Sequence, residues 1–223
     1  MGITRRELEL RVVEYSKRLH RAGWVANHDG NVSVRLEEDR FLITPTAFSK
    51  EAVERDTLLV VNGRGEKVSG RMRAFSELNL HLYVYRQRPD VNAVLHAHPV
   101  TSTGFSVAGV PVLTTMMAEP VVSLGDSIPL VPYARPKTPE STLNMAPYVE
   151  EADALLLQNH GVLTYGPDLE TAYLRMELVE HLAKIQSAAH QVGGPSHIPY
   201  GDIEVLLDAR AKAGLGPRGR KQV

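Results

Sequence analysis

The sequence predicts a single α/β sandwich domain, on three observations. Apolar residues recur with helical period at the start of the chain, in its middle and at its end, while the segments between are alternating or continuously apolar runs of strand length. A chain of 223 residues is long enough to bury one sizeable core. No repeat, low-complexity tract or linker divides it, so residues 1–223 are taken as one domain. The pattern leaves open whether the sheet is mixed or antiparallel.

Each element follows from local chemistry. Between Thr4 and His20, Leu8, Val12, Tyr15 and Leu19 mark a helix, with Thr4 as its cap and Gly23 as its stop. Asn31–Leu36 alternates in strand fashion, and Phe41–Pro45 is a second strand closed by proline. Thr57–Val61 is a third, returning through Lys67 and Val68 after an Asn-Gly turn. Ser76–Arg88 is a helix with Leu78, Leu82 and Tyr85 on one stripe, ended by Pro89. Val91–His98, Val110–Leu113, Ile128–Val131 and Ala154–Thr164 are expected strands, with a short helix over Pro139–Glu150. Asp168–Val192 is a long helix ending at Gly193-Gly194, and Asp202–Ala213 is the last one. Residues 214–223 are expected to fray.

Composition narrows the function. The formal net charge of −1 provides no electrostatic reason to expect nucleic acid or an acidic membrane as partner. Zero cysteines exclude disulfides and thiolate ligands or nucleophiles, so histidine, carboxylate or water must hold any metal. No apolar run approaches the roughly 20 residues of a bilayer span. The first residues, Met1–Arg6, lack the apolar core of a signal peptide, so a cytoplasmic enzyme is expected.

Three histidines carry the chemistry. In a strand, residues i and i+2 point to the same side, so His96 and His98 project together where the Val91–His98 strand stops at Pro99. His160 follows a second apolar run, Ala154–Leu157, and precedes Gly161. Three neutral imidazoles with an open position form the ligand set of a catalytic divalent ion.

Gly30-Asn31-Val32-Ser33-Val34-Arg35, Ile43-Thr44-Pro45-Thr46, Ser76-Glu77, His96-Ala97-His98 and Asn159-His160-Gly161 occur in an order that resembles the class II aldolase/adducin superfamily. The branch of the L-fuculose-phosphate aldolases and L-ribulose-phosphate 4-epimerases is the most similar. The resemblance runs from about Thr4 to Leu215 and implies a three-layer sandwich with a central, mostly antiparallel sheet flanked by helices. It also implies a homotetramer with active sites between subunits, and a divalent ion, usually zinc, on His96, His98 and His160. Manganese, cobalt, nickel or iron can take the same imidazoles. Such an ion chelates the oxygens of a hydroxyketone and stabilises an enediolate, the common carbanion of retro-aldol cleavage and of decarboxylation beside a carbonyl. Glu77, in the first turn of the Ser76–Arg88 helix, matches the family's catalytic glutamate, with a pKa expected near working pH.

The remaining expectations concern the substrate. The turn at Asp29, Gly30 and Asn31 and the Thr44–Ala47 loop resemble those that grip a substrate's anionic end. Of these, Gly30, Asn31, Thr46 and Ala47 form the expected substrate-binding set with Ser76, joined by His28 and Phe75. The chain departs from phosphate-using relatives at three of these positions. Ala47 stands where they carry glycine, Phe75 where they carry serine, and His28 where a small residue or threonine is usual. The proton-donating tyrosines of fucose-type aldolases have no counterpart, Thr115 and Ala213 standing in their places. The sequence therefore points to a metal-dependent carbon–carbon lyase, first a retro-aldolase acting on a small hydroxyketone other than L-fuculose 1-phosphate. A decarboxylase of keto or hydroxyaromatic acids is the alternative, then an epimerase, then a non-catalytic adducin-like module.

Overall fold

A computed structural model describes residues 4–220. The first helix, α1 (Arg5–Arg21), starts at a capping box in which Thr4 Oγ1 accepts from the Glu7 amide while the Glu7 carboxylate accepts from the Thr4 amide. Such a box contributes about 1 kcal/mol. The strands β1 (Asn31–Glu37), β2 (Arg40–Ile43), β3 (Leu59–Val61) and β4 (Lys67–Ser69) form a meander. Next come α2 (Leu78–Gln87), β5 (Ala93–Ala97), α3 (Val100–Ala108), α4 (Ala118–Leu124) and β6 (Leu130–Val131). After the short α5 (Glu140–Leu143) and α6 (Ala146–Val149) lie β7 (Ala154–Leu157) and β8 (Gly161–Gly166). The chain finishes with α7 (Leu169–His190), α8 (Tyr200–Lys212) and α9 (Gly216–Arg220).

The described strands make one sheet in the order β4-β3-β2-β1-β5-β8-β7-β6, antiparallel except for the β6–β7 pair. The question left open by the pattern is thus settled as mixed but mostly antiparallel. Period-2 alternation divides the core between its faces. Val32, Val34, Leu42, Leu95 and Ala97 pack with Val12, Leu19, Met176, Val179 and Leu182 of α1 and α7. Phe41, Ile43, Val94, Leu163 and Tyr165 pack with Leu78, Leu82 and Tyr85 of α2 and with Met145 and Val149. Three layers result, and each buried Leu or Val contributes about 1.5–3 kcal/mol. His96 and Ser33 fall on the α2 face because their neighbours Leu95, Ala97, Val32 and Val34 occupy the other.

Several expectations need correction. Residues 110–113 form no strand: Leu113 donates its amide to Gln186 Oε1 and the chain runs irregularly there. Helices α3 and α4 occupy segments in which no helix was expected. The Ala154–Thr164 run is two strands, because Asn159 adopts a left-handed φ of 56° and reverses the chain. The 139–150 helix breaks into α5 and α6. Of the tail expected to fray, 216–220 is helical with Gly216 buried, and 221–223 lie outside the described residues. No helix among the described residues is long and apolar enough to cross a membrane.

Opposite charges join the layers at Asp153, which is 1% exposed. Its carboxylate meets Arg88 at 2.8 Å, Arg175 at 3.0 Å and Arg210 at 2.7 Å, from the end of α2, from α7 and from α8. Burial alone would raise the Asp153 carboxyl, but Arg175, Arg88 and Arg210 outweigh it and hold it below the ordinary carboxylate range.

Candidate metal centre

The central strand β5 pairs with β1 on one side and β8 on the other, placing His96 opposite Asn31 and Leu163. His98 lies one residue past β5, its amide donating to the Trp24 carbonyl at 2.8 Å. His160 caps the β7–β8 turn, its amide bonded to Leu157 O at 3.1 Å. Gly161 lets this turn approach β5. A Cβ there would stand 2.5 Å from the His98 ring and 2.6 Å from the Ala97 carbonyl. The three rings are brought within 4.5–5.3 Å of one another, centroid to centroid.

Polar contacts on the outer nitrogens of His96 and His98 fix how these two rings present themselves. His96 Nδ1 is 2.9 Å from the Val162 carbonyl oxygen, which can only accept, so Nδ1 carries the proton and Nε2 a lone pair. His98 Nδ1 is 3.4 Å from Asp29 Oδ2, which has the same effect. The two Nε2 atoms then face each other at 3.0 Å. Two lone pairs so placed repel unless a cation lies between them, and tetrahedral zinc–imidazole geometry places its nitrogens about 3.3 Å apart. With His160, one ligand atom from each ring falls within 4.8 Å of the others. The donor set fits a divalent ion. Burial holds the His96 imidazole neutral, pushing it down to about 3 against the pull of Glu77, and lowers His98 as well.

Glu77 is the N-cap of α2, one position before its first turn rather than inside it. Its Oε1 lies 2.7 Å from His160 Nε2 and its Oε2 3.6 Å from His96 Nε2, while Asn31 Nδ2 donates to Oε2 at 2.9 Å. Burial would raise this carboxyl, but His96 and the hydrogen bonds from His160 and Asn31 hold it well below the ordinary range. Beneath it, Ser33 Oγ bridges His81 Nδ1 at 2.7 Å and Tyr85 OH at 2.9 Å, and burial lowers His81 to about 3. His81 is a packed, neutral histidine and not a fourth ligand.

The expected substrate residues divide into two groups. The Pro45–Ala74 bridge and the Thr46 amide bond to Arg73 O bring Thr46 and Ala47 beside Phe75 and Ser76. Thr46, Ala47 and Ser76 retain solvent exposure, but Phe75 is turned into the core, edge-on to His81 with centroids 5.0 Å apart. Gly30 has a φ of 72°, and a Cβ there would strike Val25 and approach the His96 carbonyl at 3.0 Å. It is required for packing behind the histidines. Asn31 is buried against Glu77, and His28 is exposed, its carbonyl taken by Lys50 Nζ at 3.3 Å. Sequence reasoning missed Asp29 as a partner of His98, and Lys50 altogether. A cleft of about 370 Å³ near Leu124, Tyr148, Arg210 and Pro217 contains none of these side chains.

Residues 10–187 match the profile of the Class II Aldolase and Adducin N-terminal domain. The chain belongs to the class II aldolase/adducin family. It is 33% identical over 214 residues to the L-fuculose phosphate aldolase of Escherichia coli K12, covering 95% of this chain and 97% of that one. The solved structure of an L-fuculose 1-phosphate aldolase superposes with a TM-score of 0.85 at 27% identity, over 93% of this chain and 97% of that chain. YgbL of Klebsiella pneumoniae, which carries the triple description aldolase/epimerase/decarboxylase, also gives 0.85, at 26% identity over 92% of this chain and 100% of that one. Class II aldolase structures thus share both the sheet and its flanking helices with this chain.

Proposed function

We propose that this chain is a divalent-metal-dependent aldolase that cleaves a carbon–carbon bond of a small hydroxyketone, with ketose phosphates as the leading class. One observation carries the reading: three imidazoles converge on one point, with Glu77 against two of them. His96, His98 and His160 would hold the ion, and zinc suits this imidazole set. When bound, it supplies a Lewis acid for the negative charge that develops on the substrate's carbonyl and hydroxyl oxygens.

The protein's own groups do the rest. Glu77 moves the proton at the carbon beside the carbonyl, and Asn31 orients its carboxylate through Oε2. Thr46 and Ser76, which keep solvent exposure, hold the far end of the substrate, with His28 at its rim. Ala47 in place of glycine narrows the phosphate grip, and Phe75, turned into the core, leaves no serine hydroxyl there, which argues against L-fuculose 1-phosphate itself. Val100 and Val107 of α3, 74% and 59% exposed and just beyond His98, suit the subunit contacts of a homotetramer. The small net charge gives no electrostatic reason to expect nucleic-acid or acidic-membrane partners, and the reading keeps a cytoplasmic setting.

Metal analysis together with a panel of ketose phosphates and keto acids tests this reading. The wild type is expected to bind one ion per chain and release an aldehyde, and His96→Ala to lose both properties. Carbon dioxide released without aldehyde would replace cleavage by decarboxylation, and a metal-free wild type would remove the enzyme reading altogether.

A further inference from the structure

Lys50 is 1% exposed, although an ammonium is rarely buried without partners. Its Nζ donates to the His28 carbonyl at 3.3 Å and to the Phe48 carbonyl at 2.7 Å, so one buried cation ties together two loops distant in sequence. The first loop carries Asp29 and the second carries Thr46 and Ala47. Asp29 is the acid whose charge supports the ammonium, and its Oδ2 lies 3.4 Å from His98 Nδ1. Asn27 and Gly30 flank Asp29 with φ of 51° and 72°, left-handed conformations that asparagine and glycine adopt readily, so the loop has a defined turn for Lys50 to hold.

We propose that Lys50 and Asp29 form an outer brace for the metal centre: Lys50 locks the 27–30 loop to the 46–48 loop, and Asp29, so held, orients His98. The inference rests on the metal reading above. A carboxylate on the outer nitrogen of a ligating histidine fixes its tautomer and ring orientation and raises its basicity. Lys50 is a positioning residue in this scheme. Through it, the loop that grips the far end of the substrate and the loop that aims a metal ligand move as one unit. Burial lowers the Lys50 ammonium only to about 8, so the brace remains charged at neutral pH.

Equilibrium competition for Zn²⁺ against a chromophoric chelator, on stripped full-length protein, tests the brace without recourse to activity. Thermal unfolding of the metal-free forms reports separately on folding. Wild type is expected to bind one Zn²⁺ per chain, and Asp29→Ala to bind about 10- to 100-fold more weakly, as for other outer partners of ligating histidines. Lys50→Met should weaken binding about tenfold, Lys50→Arg should restore most of it, and Lys50→Met should add nothing in the Asp29→Ala background. Wild-type affinity in folded Asp29→Ala, or fully additive losses in the double variant, would overturn the brace. Should Lys50→Met fail to fold, Asp29→Ala decides the matter alone. A wild type that binds no Zn²⁺ overturns the brace and the metal reading together, whereas a binding wild type with an unaffected Asp29→Ala overturns only the brace.

Discussion

At the scale of single residues, the site depends on small side chains as much as on its histidines. A Cβ on Gly161 would stand 2.5 Å from His98 and 2.6 Å from the Ala97 carbonyl, and the backbone oxygen cannot yield without disturbing β5. Gly161→Ala is expected to destabilise the protein by about 2 kcal/mol and to weaken Zn²⁺ binding, measured by urea unfolding and chelator competition. Ala47 is the converse case. It holds a φ of 52°, where an L side chain is strained by about 1–2 kcal/mol, part of which glycine returns as unfolded-state entropy. Ala47→Gly should therefore stabilise by about 0.5–1 kcal/mol, visible as a higher melting temperature. The sequence showed His96 and His98 as a pair because strand periodicity alone aligns them. It did not show Asp29 as a partner of His98, because that contact depends on a loop whose left-handed residues have no periodic signature.

At the scale of elements, strand pairing and helix ends do the positioning. The β1–β5 register sets Asn31 opposite His96, and the start of α2 sets Glu77 above both. Helices α1, α2 and α7 were legible from their apolar period, although α2 starts two residues later than expected, at Leu78. Helix α3 was not: Val100, Thr101, Ser102, Thr103 and Gly104 are weak helix formers, and packing against α7 overrides them. Buried Glu180 of α7 secures that helix, accepting from the Thr101 amide at 3.2 Å and the Ser102 amide at 2.8 Å, with the Ser102 hydroxyl at 3.0 Å. A carboxylate there also complements the positive end of the helix. Glu180→Ala leaves those amides unpaired and is expected to cost about 2–3 kcal/mol in denaturant unfolding. The strand expected over 110–113 failed for a related reason, since Gln186 of the same helix takes the Leu113 amide that a sheet neighbour would have used.

At the scale of the whole molecule, Asp153 and its three arginines join α2, α7 and α8 to the start of β7. No periodic pattern reveals this junction, because its members are scattered from Arg88 to Arg210. Asp153 has its carboxyl depressed in the folded state, so its contribution is fully present above the unfolded value of about 3.9 and is lost as pH falls through the folded value. Wild-type unfolding free energy should thus fall as pH drops from about 5 toward 2, while Asp153→Asn, less stable throughout, should lose part of that dependence. Chemical denaturation across this range measures both.

The central claim, a metal-assisted proton transfer by Glu77, is tested most directly by following hydrogen exchange from dihydroxyacetone phosphate into deuterium oxide by NMR. The account predicts exchange by the zinc-loaded wild type, its loss on chelation, and a drop of about 10²-fold or more in Glu77→Gln that still binds one zinc per chain. Exchange that survives both chelation and Glu77→Gln would contradict it.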